Sequence, residues 1–582
     1  MKSSILTQLN HQQKDAALYN GGSSVILAGA GSGKTRVLIA KVINLIENHH
    51  VDPNSILMIT FTNKAANEMK SRIGSSYTLG YVGTFHSFCA RILRIDGQFI
   101  GLKKYFLIYD DNDQQGLIKA VLKKIKFDKK YTPSYLLNRI SAAKNQLISP
   151  ERYLDVFSDF ASSDTNLIYQ AYQKELRENN ALDFDDLINM TIKLFKKNKQ
   201  ILAKYQEKYR YILVDEFQDT NYVQYYLTKL LSEKYKNITV VGDFSQSIYS
   251  WRGAEIENLK KLQKDLPRTK QFLLEKNYRS TRPILDFAYK IISGNTTHQI
   301  LALFTDKKGG EEVVRYEARN EEEEGIYLAD VIHSLIGKYE LSDIAVLYRT
   351  NAQSRAIEEV LLHRAIPYIL VGGTRFYERK EIKDILSYLR LLLNPVDKLS
   401  NERIKKIGKT KFEKFKKYYE ENRDSMENKN TAKIIEEIFQ ATDYLKQFNP
   451  DDEEDYSRIE NIKELKSVAV LFPSLQDFLE QVALVESEYF EGEKGAKNKS
   501  GVKLMTLHQA KGLEFSVVFI VGVEEGILPH SRSLDDNYSL EEERRLFYVG
   551  ITRAKERLYI TYARQRFIFG SRTYSLKSRF LE

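Results

Sequence analysis

The chain has 582 residues, 42% of them apolar and 29% charged, a globular balance that excludes a largely disordered protein. At roughly 100–200 residues per domain, the length implies about three to five domains. Lys and Arg number 88 against 78 Asp and Glu, and the resulting charge of +10 suits an acidic partner, nucleic acid first, with a merely lysine-rich surface as the competing reading. Cys89 is the single cysteine, so no intramolecular disulfide or cysteine-based zinc site can form, and a reducing, cytoplasmic compartment is expected. The opening residues, MKSSILTQLN, lack the apolar stretch of a signal peptide, and runs such as Ser516–Val523 are too short to span a bilayer. No membrane partner is expected.

Two kinds of segment alternate along the chain. Ser24–Leu27, Ser55–Ile59, Tyr211–Val214, Ile238–Val241, Asp343–Leu347 and Ser516–Val521 are short, apolar and β-branched, and read as buried parallel strands. Residues 90–208 and 384–500 are long helical blocks rich in Lys, Glu and Tyr. The fold class is therefore α/β, with two lobes, 1–89 plus 209–275 and 276–383 plus 501–582, each interrupted by a helical insertion. Charge runs such as Lys405–Lys406 and Asp451–Asp455 read as solvated helix faces and loop. Residues 398–499 lie between Asn394-Pro395 and Gly501, and are expected to form an appended subdomain that can be removed without loss of the two lobes.

Residues 24–40 read SVILAGAGSGKTRVLIA, a strand running into a glycine-rich turn and then a helix. Backbone amides of Ala28, Gly29, Ala30, Gly31, Ser32 and Gly33 can close around phosphate, and the helix N-terminus favours the anion. Lys34 is placed to pair with the β- and γ-phosphates, and Thr35 to hold Mg²⁺. Ala28 stands where GxxxxGK[ST] has its first glycine, so the pattern is one residue short of strict. The bland reading is a chance glycine-rich turn. Tyr211–Glu216 (YILVDE) ends a strand in two carboxylates, which puts Asp215 beside the metal and Glu216 beside the attacking water.

The segments ITFTNKAANEM (Ile59–Met69), GTFHSFC (Gly83–Cys89), VDEFQDTN (Val214–Asn221), VGDFSQSIYSWRGA (Val241–Ala254), NYRS (Asn277–Ser280), TLHQAKGLEF (Thr506–Phe515) and EEERRLFYVGITRA (Glu541–Ala554) occur in a fixed order. Together they resemble the UvrD/Rep/PcrA group of superfamily 1 DNA helicases, over nearly the whole chain from Leu9 to Phe580. The resemblance implies two RecA-like P-loop lobes, each with a mostly helical insertion, nucleotide bound between the lobes and single-stranded DNA across their top. It implies that Gln13 reads the adenine edge, that Arg36 and Tyr278 sandwich the base, that Glu514 lies near the ribose and that Gln246 senses the γ-phosphate. It also implies that Arg279 and Arg553 reach the γ-phosphate from the second lobe. An arginine there is worth roughly 10³–10⁵ in rate.

For DNA the resemblance points to Phe61, Thr62, His86, Phe184, Tyr249, Trp251 and Arg252, with His508 and Phe569 as further matches. Base stacking on such rings contributes roughly 1–3 kcal/mol per base without sequence preference. The chain departs from the group in three places. Phe244 and Ser245 stand where acids are usual, Gln509 replaces a serine, and Gly408 alone matches the glycine-flanked turn that meets duplex phosphate. The second insertion reads as short, and the long C-terminal tail of many relatives is not seen. The expected function is an ATP- and Mg²⁺-dependent 3′→5′ translocase on single-stranded DNA that unwinds duplex at single/double-strand junctions, in repair or replication. The alternatives are a translocase that displaces proteins with weak unwinding, and a nucleotide-gated DNA-binding module without turnover.

Overall fold

The computed structural model describes residues 4–74, 77–127, 131–423, 425, 429–472, 474–495, 500–568 and 571–582. Contacts divide the chain into two units, Met1–Arg279 with Ile292–Lys307, and Ser280–Ile291 with Lys308–Glu582. The first unit holds six strands: β1 Ser24–Ala28, β2 Ile56–Thr60, β3 Tyr81–Thr84, β4 Tyr211–Val214, β5 Ile238–Gly242 and β6 Lys270–Leu274. All pair in parallel, in the order β3-β2-β4-β5-β1-β6. The second unit repeats the plan with β7 Val314–Ala318, β8 Ile344–Tyr348, β9 Tyr368–Leu370, β10 Val502–Thr506, β11 Phe515–Ile520 and β12 Ala554–Ala563. Its order is β9-β10-β8-β11-β12-β7, again all parallel. The α/β class with two parallel-sheet lobes is thus observed.

The central strands β1, β2, β5 and β8 are buried at every position. A strand covered by helices on both faces cannot alternate apolar with polar residues, and its continuous apolar run is what made it visible in the sequence. The edge strands β6 and β7 carry exposed polar residues and gave no such signal.

The first insertion has two parts. Phe88, Leu187, Phe195 and Tyr205 join the core that also covers Leu57 and Val214 of the sheet. A separate cluster, from Leu117 to Ala181, forms its distal end. Phe244 belongs to the first of these cores, so an apolar ring has replaced an acid at a position that faces inward.

The second insertion has its own core, running from Phe376 to Val485. Helix Lys380–Leu393 runs through it, with Ile385, Leu386, Tyr388 and Leu389 buried. The proposed cut at 398 therefore falls inside a packed cluster and not at its border, and the removable segment expected from the sequence is corrected accordingly. Asn394-Pro395 ends one helix, but helix ends are not domain ends when both flanking helices share a core. Polar ties also join the insertion to the β8 side of the same unit. Arg355 meets Glu359 and Glu464 at 2.6 Å each, and Arg379 donates to Asn461 at 2.8 Å. Among the described residues no single helix is long and apolar enough to cross a membrane.

Candidate nucleotide and nucleic-acid site

In the first unit the chain leaves β1 at Ala28, turns through 29–33 and enters helix Lys34–Glu47. Gly31 and Gly33 have φ of 65° and 86°, a region costly for side chains. A Cβ on Gly31 would lie 2.7 Å from Asn277 Nδ2, and one on Gly33 would lie 2.9 Å from Gln13 Nε2. The turn is therefore tight and closely backed, as a cradle of backbone amides must be.

Strand β5 lies between β1 and β4, so Asp243 at its end comes between the phosphate turn and Asp215. Lys34 Nζ is 3.9 Å from Asp243 Oδ2, which also accepts from Gln246 Nε2 at 2.6 Å. Thr35 Oγ1 points at Asp215 Oδ2, 3.5 Å away. Burial, with the neighbouring Glu216 carboxylate second, pushes Asp215 up to about 7, while Lys34 opposes the shift. Burial likewise raises Asp243, again against Lys34.

Glu216 sits at φ 51°, ψ 42°, a left-handed turn that costs a non-glycine residue on the order of 1–2 kcal/mol. Its carboxylate accepts from Gln218 Nε2 at 2.5 Å. Gln218 Oε1 accepts the Asp243 amide at 3.1 Å, and its backbone carbonyl accepts Ser247 Oγ at 3.1 Å. One glutamine thus ties the proposed catalytic acid to the segment that leads to Tyr249 and Trp251. Sequence reasoning passed over Gln218 and Asp243, although both lie in quoted motifs.

Gln13 is buried in the capping box of helix His11–Leu18 and donates from Nε2 to the Ser32 carbonyl at 2.8 Å. Arg36 pairs with Gln8 at 2.8 Å. Tyr278 accepts from Asn10 Nδ2 at 2.7 Å, and its amide donates to the Gly31 carbonyl at 3.0 Å. Asn277 Nδ2 donates to the Ala30 carbonyl at 2.7 Å, and its Oδ1 accepts the Arg279 amide at 2.8 Å. These bonds tie Asn277–Arg279 to the glycine-rich turn, and Arg279 is the last residue of the first unit's main segment, at the border with the second unit. Four residues, Gln13, Tyr278, Asn277 and Arg279, are thereby brought to one turn from distant parts of the sequence.

The nucleic-acid candidates of the first unit form pairs. The His86 and Phe184 rings are 5.8 Å apart and perpendicular, and burial lowers the His86 pKa. Tyr249 and Trp251 are 6.3 Å apart. Phe184 and Trp251 are 44% and 51% exposed, which leaves ring area open for stacking. Phe61 packs on Phe85 and the core, and Thr62 caps helix Asn63–Ile73 by accepting the Ala65 amide at 3.1 Å. The Arg252 side chain and Phe569 lie outside the described residues.

In the second unit Arg553 is buried and donates to the Val549 and Leu513 carbonyls and to Thr552 Oγ1, at 2.9, 3.2 and 3.0 Å. Glu514 pairs with Lys555 at 3.0 Å. His508 is half-buried in the turn after β10. Gln509 holds that turn: its Oε1 accepts the Thr506 amide at 2.9 Å and its Nε2 donates to the Gly372 carbonyl at 3.1 Å. Gly408 joins helices Lys398–Ile407 and Lys409–Asn422.

Comparison with known proteins identifies the family over both units. Residues 9–267 match the model of the UvrD/REP helicase N-terminal domain, and residues 272–565 match that of the UvrD-like helicase C-terminal domain. The chain is 43% identical over 636 positions to a Bacillus subtilis protein named ATP-dependent DNA helicase PcrA, covering 100% of this chain and 86% of that one. It is 41% identical to the proteins of that name from Staphylococcus epidermidis and Staphylococcus aureus, covering 100% of this chain and 87% and 86% of theirs. The aligned span exceeds the 582 residues of this chain, so the Bacillus subtilis relative carries segments that are missing here.

Proposed function

The chain belongs to the UvrD/REP helicase family and is an ATP-dependent DNA helicase, and we propose that it moves 3′→5′ on single-stranded DNA and opens duplex at junctions. The observation that supports coupling of ATP to DNA in this reading is the linkage in the first unit of Lys34 and Thr35 with Asp243 and Asp215, and of Glu216 and Asp243 with the segment before Trp251 through Gln218, while the direction is carried over from the resemblance. A binding module without turnover has no need of a strained, hydrogen-bonded Glu216 next to Asp215, the carboxylate that Thr35 faces.

Each residue has a distinct task. Lys34 supplies positive charge to the β- and γ-phosphates. Glu216 orients and polarises the attacking water, and Gln218 fixes its direction. Gln246 and Asp243 report the state of the phosphate end to the Trp251 segment. Arg279 offers charge at the γ-phosphate, and the resemblance assigns Arg553 the same task. Gln13, Arg36 and Tyr278 hold the base.

Thr35 and Asp215 are the residues that would hold Mg²⁺. The donor set fits this hard cation, which binds through one or two protein oxygens and otherwise keeps water and phosphate. When bound, it would neutralise charge on the phosphates and orient them for attack. Trp251, Tyr249, Phe184 and His86 serve as the sequence-tolerant platform for single strands. The buried thiol of Cys89 is compatible with work in a reducing cytoplasm.

The test is unwinding of 3′-tailed, 5′-tailed and blunt duplexes with ATP, with and without Mg²⁺, beside ATPase with and without single strand. Activity confined to the 3′-tailed substrate and dependent on Mg²⁺ is expected. Preference for the 5′ tail would overturn the direction, and unwinding undiminished by metal chelation would overturn the roles of Thr35 and Asp215.

A further inference from the structure

The helix Pro133–Lys144 of the first insertion ends beside the N-cap of the Phe184 helix and beside the segment that closes the Trp251 turn. Lys144 is 1% exposed, and its ammonium meets Asp183 at 2.5 Å and Asp186 at 2.9 Å. Asp183 is the N-cap of helix Phe184–Lys197, and its second oxygen accepts the Asp186 amide at 2.8 Å. Tyr172 donates to the same carboxylate at 3.1 Å. Phe184 is therefore the first helical residue after a cap that a buried cation holds in place. Asn189, on the same helix, donates to the Lys144 carbonyl at 3.0 Å.

The next residue, Asn145, is tied to the other platform. Its Oδ1 accepts from Asn221 Nδ2 at 2.7 Å. Asn221 forms an antiparallel bridge with Ala254, whose amide donates to the Tyr249 carbonyl at 3.1 Å and closes the turn that carries Trp251. Gly253 in that turn has φ of 80°, and a Cβ there would lie 3.7 Å from the Cβ of Asn145. Two exposed rings, far apart in sequence, thus hang on adjacent residues of the insertion.

We propose that Lys144 and Asn145 are positioning residues for single-strand binding, fixing the Phe184 helix start and the Trp251 turn at a set separation. The proposal rests on the reading of Phe184 and Trp251 as stacking platforms. A ring that must be ordered when a base arrives gives back part of its stacking energy as lost entropy, so a pre-set separation raises affinity without adding a contact. The buried Lys144 pair serves specificity of placement here, a role open to buried ions whose net stabilisation is small.

Asn145→Ala removes the acceptor for Asn221 and a 3.2 Å bond to Ser141 Oγ within its own helix end, without burying an unpaired charge. Trp251 is the chain's only tryptophan, so intrinsic fluorescence reports the turn directly. Asn145→Ala is expected to weaken oligothymidylate binding roughly three- to tenfold, the effect of one hydrogen bond. The DNA concentration for half-maximal ATPase should rise by the same factor, with kcat at saturating DNA and ATPase without DNA unchanged and Tm lowered by no more than a few degrees. Lys144→Met should act in the same direction, with an added loss of Tm.

Trp251→Ala separates the two readings, with binding followed by anisotropy of a labelled strand. If Trp251→Ala binds as the parent does, the platform reading fails and the proposal with it. If Trp251→Ala weakens binding while Asn145→Ala does not, the platform stands and the proposal is overturned. If both weaken binding, the double variant decides: little added loss supports Asn145 acting through Trp251, and fully additive loss refutes it.

Discussion

Replacing residues 398–499 by a short Gly/Ser linker should leave a chain that cannot fold its second unit. The cut keeps helix Lys380–Leu393 and removes most of what covers it. Ile382, Ile385, Leu386, Tyr388, Leu389, Leu391 and Leu392 of that helix are all buried in the cluster. Full burial of such a side chain contributes roughly 1.5–3 kcal/mol, so complete exposure of these seven costs roughly 10–20 kcal/mol. Half of that already rivals the net stability of a domain, roughly 5–15 kcal/mol. Arg355, 11% exposed, also loses Glu464 as one of its two acidic partners. The expected result is aggregation on size exclusion, a broad thermal transition and loss of single-strand-stimulated ATPase. A deletion that also takes 376–397 removes the cluster whole and should be the more soluble of the two. A monomeric 398–499 deletion that melts cooperatively and keeps parental stimulated ATPase would refute this reasoning.

Glu216→Gln should abolish DNA-stimulated turnover yet bind ATP and single strand, since Lys34, Asp215 and the phosphate turn are untouched; Lys34→Ala should also abolish turnover. Parental turnover in Glu216→Gln would remove that residue from the chemistry. Arg279→Ala should lower kcat strongly, read as single-strand-stimulated ATPase at saturating ATP. Arg553→Ala should lower kcat and Tm, because three hydrogen bonds of a buried guanidinium vanish with it. Lys41, buried and donating to the Tyr19 carbonyl at 2.6 Å, is pushed down to about 8 by its burial. Its unfolded value is higher, so between the two the unfolded chain binds more protons and stability rises with pH. Relative to Lys41→Met, the parent should gain up to roughly 2 kcal/mol from pH 8 to 9.5, at about 1.4 kcal/mol per unit. Thermal melts of both proteins at those pH values check it, and a gap that does not change with pH would contradict the shift.

The sequence by itself determined the α/β class, the doubled lobe plan and the glycine-rich turn between strand and helix at 24–47. Local rules suffice for these: a strand buried on both faces must be apolar throughout, and a turn around phosphate needs glycine at positive φ before a lysine. The motif segments also brought the aromatic candidates into view, since Trp251 and Phe184 lie in them. Tertiary structure decided what spacing cannot encode. Arg279 is held on the phosphate turn because Asn277 bonds Ala30, a partnership across 247 positions of chain. The second insertion begins near Phe376 because its core, and not a proline, marks the border. Phe244 is explained by the sheet it covers, and Lys144 and Asn145 acquire meaning only where two distant rings meet one helix end. Long-range contacts of this kind are chosen by packing and burial, which depend on the whole fold and leave no periodic signature in the residues that make them.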